Sequence, residues 1–334
     1  MLGGRVPAMR TDESVREPGA FAQSVPTTGL YIGAEVHEAL AAGQGIVALE
    51  STILAHGFPP AEGRALGIEL EDAVRARGAV PATIAVCAGE VCVGLDPAQR
   101  SALLDGRKVA KCGAREVAWV AAAGGWGATT VSATMAVAAR AGIEVFATGG
   151  IGGVHRGGET SLDISADLAA LGAWPVLVVA AGAKSLLDLP RTLEVLESMG
   201  VPVVGYQTDE LPSFYARRSG CALGFRVEDA ASAARAFALQ RRLASAGGAL
   251  LCNPPPEAVA LDAVEVDAWV RQGLDAADAA GVRGAAVTPF VLAWLHRVSE
   301  GRTMHTNRAL ALHNAGLAAE VAVALAALRR KEGR

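Results

Sequence analysis

Lysine is nearly missing from this chain. Of the 30 basic residues among 334, only Lys108, Lys111, Lys184 and Lys331 are lysines. Surface charge is written in arginine instead, so a lysine in an apolar context suggests that an amine is wanted rather than a positive charge. A guanidinium keeps its proton and cannot form an imine, whereas a desolvated ammonium can. Aromatic residues are scarce too, at 4%, while 51% of the chain is hydrophobic and 39 residues are glycine. That balance argues against a disordered or fibrous chain and suits an α/β protein rich in Ala, Val and Gly. Basic excess is absent: the net charge of −4 gives no global field for nucleic acid or anionic membrane, so neither is expected as a partner. Any phosphate binding must then be local. The five cysteines include no CxxC pair, and their odd number reads as small apolar fillers in a reducing, cytoplasmic setting. Apolar runs are short or broken by Gly and polar residues, which predicts no transmembrane span. The first 25 residues mix Arg and acidic residues with no apolar core, so no secretory leader is expected and residues 1–30 read as a flexible tail.

Short β-like runs alternate with amphipathic helical runs from Gly45 onward. "GIVALES" reads as a buried strand and Pro60–Arg77 as a helix. "ATIAVCAGEVCVGL" reads as a hairpin, "KVAKC" as a strand, and Ala128–Ala141 as helical in period. "EVFATGG", "VLVVAAGAK", "VPVVGYQT" and "GALLCNPPP" read as further strands, and Asp262 to Arg330 as mainly helical. Apolar strands separated by helices imply a largely parallel sheet covered on both faces, and the hairpin makes it mixed. The expectation is an α/β fold with a three-layer α/β/α architecture and one domain over 31–334.

Functional residues in such a layout gather beyond the carboxyl ends of strands. Four segments fall there: Glu50-Ser51-Thr52, Lys111, the loop Thr148–Gly158, and Lys184-Ser185. Lys184, after "VVAAGA", is either an amine nucleophile or a strand-end lysine reaching solvent. Glu50, closing "VALE", is either a general acid/base raised by partial burial or a cap. "ATGGIGGVHRGG" lacks the spacing of a dinucleotide fingerprint, but its glycines could bring backbone close to a ligand or form an anion nest. In "SLDISADL", Asp163 and Asp167 lie four apart and share a face if helical. Paired carboxylates with Ser165 suit Mn²⁺ or Mg²⁺, to which His155 could add a nitrogen; a capped helix start is the competing and commoner reading of such residues. "GATTVSATM" places Thr129, Thr130 and Ser132 at a helix N-terminus, a seat for phosphate with Lys111 as counter-charge, or an ordinary N-cap. Asn307 and Asn314 lie two turns apart on one helix face, where amides could read a uracil edge.

Together these segments resemble the pseudouridine-5′-phosphate glycosidase family. The shared motifs are "ALESTILAHGFP", "GAVPATIAV", "VCVGL", "GATTVSATM", "FATGGIGGVHRG", "DISADL", "AGAKSLLDL", "VPVVGYQTDELPSF" and "TPFVLAWL", from about Ile46 to the C-terminus. The resemblance implies reversible cleavage of the C1′–C5 bond of pseudouridine 5′-phosphate to uracil and ribose 5-phosphate. It places the imine-forming lysine on Lys184 and the acid/base glutamate on Glu50. The metal-binding aspartate falls on Asp163, with Mn²⁺ the first choice of ion and Mg²⁺ the second, and with Asp167 the other possible direct ligand. Lys111, Thr130, Val131, Thr148, His155, Ser165, Ala166, Asp167 and Asn307 fall on substrate-contacting positions. A homotrimer is implied as well. The chain departs from the family at His313-Asn314, where many members carry two asparagines. Another Schiff-base lyase or aldolase acting on a sugar phosphate is the alternative among enzymes. A non-catalytic nucleotide-phosphate binder is the alternative outside them.

Overall fold

A computed structural model describes residues 29–243, 246–283 and 287–332. Along the chain the first half runs β1 (Leu30–Ile32), α1 (Ala34–Ala41), β2 (Ile46–Leu49), α2 (Thr52–His56), α3 (Pro60–Arg75), β3 (Val80–Cys87), β4 (Glu90–Val93), α4 (Pro97–Leu103), β5 (Ala110–Cys112), α5 (Val117–Ala122), β6 (Gly127–Thr129), α6 (Val131–Ala141) and β7 (Val145–Ala147). The second half runs β8 (Val154–His155), α7 (Gly158–Ser161), α8 (Ala166–Ala173), β9 (Leu177–Ala180), β10 (Leu187–Asp188), α9 (Leu189–Ser198), β11 (Val203–Tyr206), β12 (Phe225–Val227), α10 (Ala230–Arg242), β13 (Ala249–Cys252), α11 (Ala263–Ala279), α12 (Val287–Val298) and α13 (Arg302–Glu332).

The centre of the main sheet is β2-β7-β9-β13, parallel throughout. Every residue of these four strands is buried, which is why they read as unbroken apolar runs rather than alternating ones. β3 changes partner along its length. Val80–Thr83 runs parallel to β2, while Ile84–Cys87 forms the expected hairpin with β4. There it also takes β6 antiparallel on its other edge, and β5 follows β6 in parallel. Helices α6 and α8 pack together, as do α3, α10 and α13, giving the mixed, largely parallel sheet its helical covering.

Several boundaries differ from the sequence reading. β1 and α1 precede Gly45 and went unread, because "LYI" is too short to carry a period. Gly127–Thr129 is strand β6, not the start of a helix, and α6 begins only at Val131. Of the expected tail, residues 1–28 lie outside the described residues and Leu30 already belongs to β1. Among the described residues, α13 is long and apolar enough to cross a membrane by composition. Two-thirds of its most apolar stretch is buried inside the protein, against β2, β7 and β9, so packing on the sheet accounts for its apolarity.

Strand ends and helix caps are locally specified. Pro254–Pro256 follow β13 and stop it, since proline lacks the amide a ladder needs. Asp96 and Gln99 form a reciprocal capping box at α4, and Ser165 caps α8 through the Asp167 amide. α6 ends at Gly142, φ +79°, a left-handed turn suited to glycine.

Candidate active site

A cavity of about 680 Å³ opens at the carboxyl ends of the strands, within the usual range for small-molecule sites. Glu50, Lys111, Thr130, Val131, His155, Asp163, Ser165, Ala166, Asp167 and Lys184 all line it. The fold brings them together from strand ends and the segments beyond them: Glu50 follows β2, Lys111 is on β5, Thr130 follows β6, His155 is on β8 after the glycine loop that leaves β7, Asp163–Asp167 lead into α8, and Lys184 comes four residues after β9.

Glu50 is 9% exposed. Burial pushes its carboxyl above the usual carboxylate range, and the charge of Lys184, the Thr148 hydroxyl and the charge of Lys111 pull the other way. Its orientation is set by its neighbours. Ser51 is fully buried; its hydroxyl donates to the Ile84 carbonyl at 2.7 Å and accepts from the Thr129 amide at 2.9 Å. Thr52 Oγ1 donates to the Ala128 carbonyl at 3.1 Å. These hydroxyls weld the turn after β2 to β3 and β6, and Glu50 is left facing the cavity.

Two of the chain's four lysines face this carboxylate. Lys111 sits on the cavity rim with much of its surface open, yet protein crowds it closely enough that desolvation, then the charge of Lys184, holds its ammonium below the usual lysine range. Lys184 is half-buried, and its backbone amide donates to the Ile151 carbonyl at 3.1 Å. That bond fastens the lysine turn to the glycine loop. The pair of cations and the buried acid therefore share one electrostatic field, a pattern concentrated at functional sites.

The two aspartates do not share a helix face. Ser165 caps α8, so Asp163 precedes the helix and Asp167 lies in its first turn. Asp167 is 6% exposed, and both its oxygens are spent on backbone amides: Oδ1 accepts from Ser132 at 3.0 Å and Oδ2 from Gly152 at 2.9 Å. The Asp163 side chain is 44% exposed, with Oδ2 4.0 Å from His155 Nδ1. Among the described residues no group of three His, Cys, Asp or Glu side chains converges as a ready-made metal cage. An ion held by Asp163 and His155 would keep several waters, as Mg²⁺ and Mn²⁺ sites at phosphate esters do, so the donor set fits a hard cation.

Three other expectations are corrected. The α6 N-terminus is not an open phosphate seat, because the Ser132 amide is taken by Asp167 and Thr129 is buried in β6, donating to the Ile84 carbonyl. Thr130 and Ser132 hydroxyls, 3.2 Å apart, do line the cavity. The glycine loop is pressed against protein at Gly152, which also lines the cavity: a Cβ there would lie 2.2 Å from Ser165 Oγ, so packing as well as any ligand requires glycine beside the Asp167 bond. Asn314 does not reach the cavity, since it is fully buried against the Thr148 and Gly149 carbonyls.

Thr148 and Asn307 also stand off the cavity wall. Thr148 is buried and its hydroxyl donates to Glu50 Oε1, so it acts on the site through that acid. Asn307 lies on α13 beside Gly149, with its Oδ1 buried and without a hydrogen-bond partner among the described residues. Sequence reasoning missed Asn253, which bonds Asn314 at 3.0 Å. The available signal was its position, the first residue past β13 and just before three prolines.

Residues 35–324 match the family model described as indigoidine synthase A like protein. A pseudouridine-5′-phosphate glycosidase of Herpetosiphon aurantiacus is 54% identical over 89% of this chain and 98% of its own. One from Chloroflexus aurantiacus is 51% identical, over 90% and 99%. Among solved structures, the prealnumycin C-glycosynthase AlnA in complex with ribulose 5-phosphate superposes with a TM-score of 0.85 at 40% identity, covering 90% of this chain and 98% of that one. An indigoidine synthase A-like protein from Thermotoga maritima gives 0.80 at 32% identity, covering 91% and 100%.

Proposed function

The chain belongs to the pseudouridine-5′-phosphate glycosidase family, a family of enzymes, and on that premise we propose that it reversibly cleaves the C1′–C5 bond of pseudouridine 5′-phosphate through an imine on Lys184. The observation that carries the reading is the meeting of Lys184, Lys111 and the buried Glu50 in one cavity. The relative that binds ribulose 5-phosphate supports a pentose phosphate as the ligand class.

The bond to be broken explains the amine. A carbon leaving group cannot depart on a nitrogen lone pair, so a carboxylate pair promoting an oxocarbenium ion is not enough. In the proposed sequence the Lys184 amine bonds C1′ as the ring C1′–O4′ bond opens, and Glu50 gives its proton to the departing oxygen. The Glu50 carboxylate takes a proton from the new secondary ammonium, the freed nitrogen lone pair forms C1′=N while the C1′–C5 electrons leave on uracil, and Glu50 returns that proton to C5. Water hydrolyses the iminium, releasing ribose 5-phosphate and restoring the amine. Burial keeps Glu50 protonated to a higher pH than an exposed glutamate, as a donor near neutrality requires.

Lys111, with the Thr130 and Ser165 hydroxyls, is assigned to the phosphate, and Val131 and Ala166 to the wall beside it. Unphosphorylated pseudouridine is expected to be a much poorer substrate, because remote phosphate binding energy is used in the chemical step. Equal kcat/KM for nucleoside and nucleotide would contradict this assignment.

Asp163, which lines the cavity and whose oxygens are not taken up by backbone amides as those of Asp167 are, is assigned as the direct metal ligand, and His155 stands beside it. A bound Mn²⁺ or Mg²⁺ would supply positive charge and ordered water next to the phosphate. Asp163→Ala is expected to lower activity and weaken Mn²⁺ binding measured calorimetrically. Full activity of metal-stripped protein in chelator would remove the ion from the account.

The cytoplasm is the proposed location, in keeping with five free cysteines. A homotrimer is the proposed assembly, with exposed Leu162 and Ile164 beside the cavity available for a contact. Release of uracil from pseudouridine 5′-phosphate, followed spectrally, tests the reaction. An aldolase or a non-catalytic binder would release none.

A further inference from the structure

Behind Glu50 lies a chain of polar groups that the reaction itself does not use, buried at Thr148, Asn314 and Asn253. Asn314, on α13, is fully buried, and its Nδ2 donates to the Thr148 carbonyl at 2.8 Å and the Gly149 carbonyl at 3.3 Å. Its Oδ1 accepts from Asn253 Nδ2 at 3.0 Å. The same Nδ2 lies 3.1 Å from His313 Nδ1. His313, at the outer end, has much of its surface open, yet protein crowds the ring closely enough that desolvation, first, holds it below the usual imidazole range, while a bond to the Pro254 carbonyl raises it. A neutral ring that donates to Pro254 has Nδ1 free to accept from Asn253. The directions are therefore forced: turning the Asn314 amide over would set its oxygen against two carbonyls.

The chain ends at the catalytic cavity. The Thr148 amide donates to the Val179 carbonyl at 3.1 Å and the Asn253 amide to the Ala180 carbonyl at 2.8 Å. The ends of β7, β9 and β13 are thus tied to α13 at one point. From that point the Thr148 hydroxyl donates to Glu50. The two amides are 61 residues apart and Thr148 is 98 from Glu50, so only the fold brings them into line.

We propose that the Asn253–Asn314 amide pair is a positioning device for Glu50, holding the Thr148–Gly149 backbone so that the Thr148 hydroxyl meets the carboxyl. The proposal rests on the reading of Glu50 as the acid/base group. Besides that hydroxyl, Lys184, Lys111 and Asp167 face Glu50 electrostatically. Arg217, Arg77 and Glu320 face His313. The Thr148 bond opposes the effect of burial on Glu50, so its loss raises the proton affinity of the acid.

Infrared difference titration of the Glu50 carboxyl in substrate-free, full-length protein, with Glu50→Gln as the blank, reads this directly. Thr148→Val and Asn314→Ala are each expected to titrate at higher pH than wild type, and Thr148→Ser to return toward it. The double variant should titrate where Thr148→Val does, because Asn314 acts through Thr148. Turnover of Asn314→Ala should fall by up to about 100-fold with KM little changed, the scale of a small misplacement of a catalytic group. Should Asn314→Ala not fold, Asn253→Ala cuts the next link and is read the same way. An unshifted titration in the amide variant, or additive shifts in the double, overturns the proposal. Shifted titration in a protein that releases no uracil leaves the positioning device standing and overturns the assigned reaction instead.

Discussion

Lys184→Arg is expected to lose turnover by about 100,000-fold, on the scale of removing an enzymic nucleophile, and Lys184→Ala to be no worse. The arginine keeps the positive charge beside Glu50 but has no lone pair to offer C1′. If Lys184 served only as a charge, arginine would preserve much of the rate and alanine would not. The half-buried setting of Lys184, anchored through Ile151, gives arginine enough contact with the cavity for that comparison to be fair. Circular dichroism and thermal unfolding of both variants should match wild type closely, so that the loss is one of chemistry.

Glu50→Gln carries the second largest expected effect, a fall in kcat on the order of 100- to 10,000-fold, the usual worth of a positioned acid or base. Glutamine fills the same volume and can still accept the Thr148 hydrogen bond, so substrate affinity should change little. What it cannot do is give a proton to the sugar oxygen and take one back. The limb of the pH–rate profile that reports Glu50 in wild type should vanish in the variant. A profile unchanged in shape would assign the limb to another group, Lys111 being a perturbed one whose charge acts on Glu50.

Much of the site was legible because buried parallel strands write unmistakable apolar runs, and chemistry-bearing residues follow them directly. Glu50 after "IVAL" and Lys184 after "LVVAAGA" were found that way, and the rarity of lysine pointed to the second. Elements whose composition is neutral were harder. "GAT" has no strand signature of its own and becomes β6 only because β3 and β5 pair with it. Asp163 and Asp167 are four apart, but Ser165 starts the helix between them, and a cap is a weaker signal than a period. The places of Thr148 and Asn314, behind the cavity wall rather than on it, were not readable at all. Two polar residues on one helix face look alike whether they meet a ligand or a carbonyl buried 166 residues away. The part of the expected phosphate seat made by the Ser132 amide was lost for a related reason, since the carboxylate that occupies that amide comes from another helix.

The claim at the centre of this account is a covalent bond between Lys184 and C1′. Borohydride reduction of wild-type protein in the presence of ribose 5-phosphate, followed by peptide mass analysis, tests it most directly. The account predicts a permanent pentose-phosphate adduct on the peptide carrying Lys184, absent from Lys184→Arg and absent without reductant. An adduct on Lys108 or Lys111 would mean a different amine is the nucleophile, and no adduct alongside an active Lys184→Arg would contradict covalent catalysis altogether.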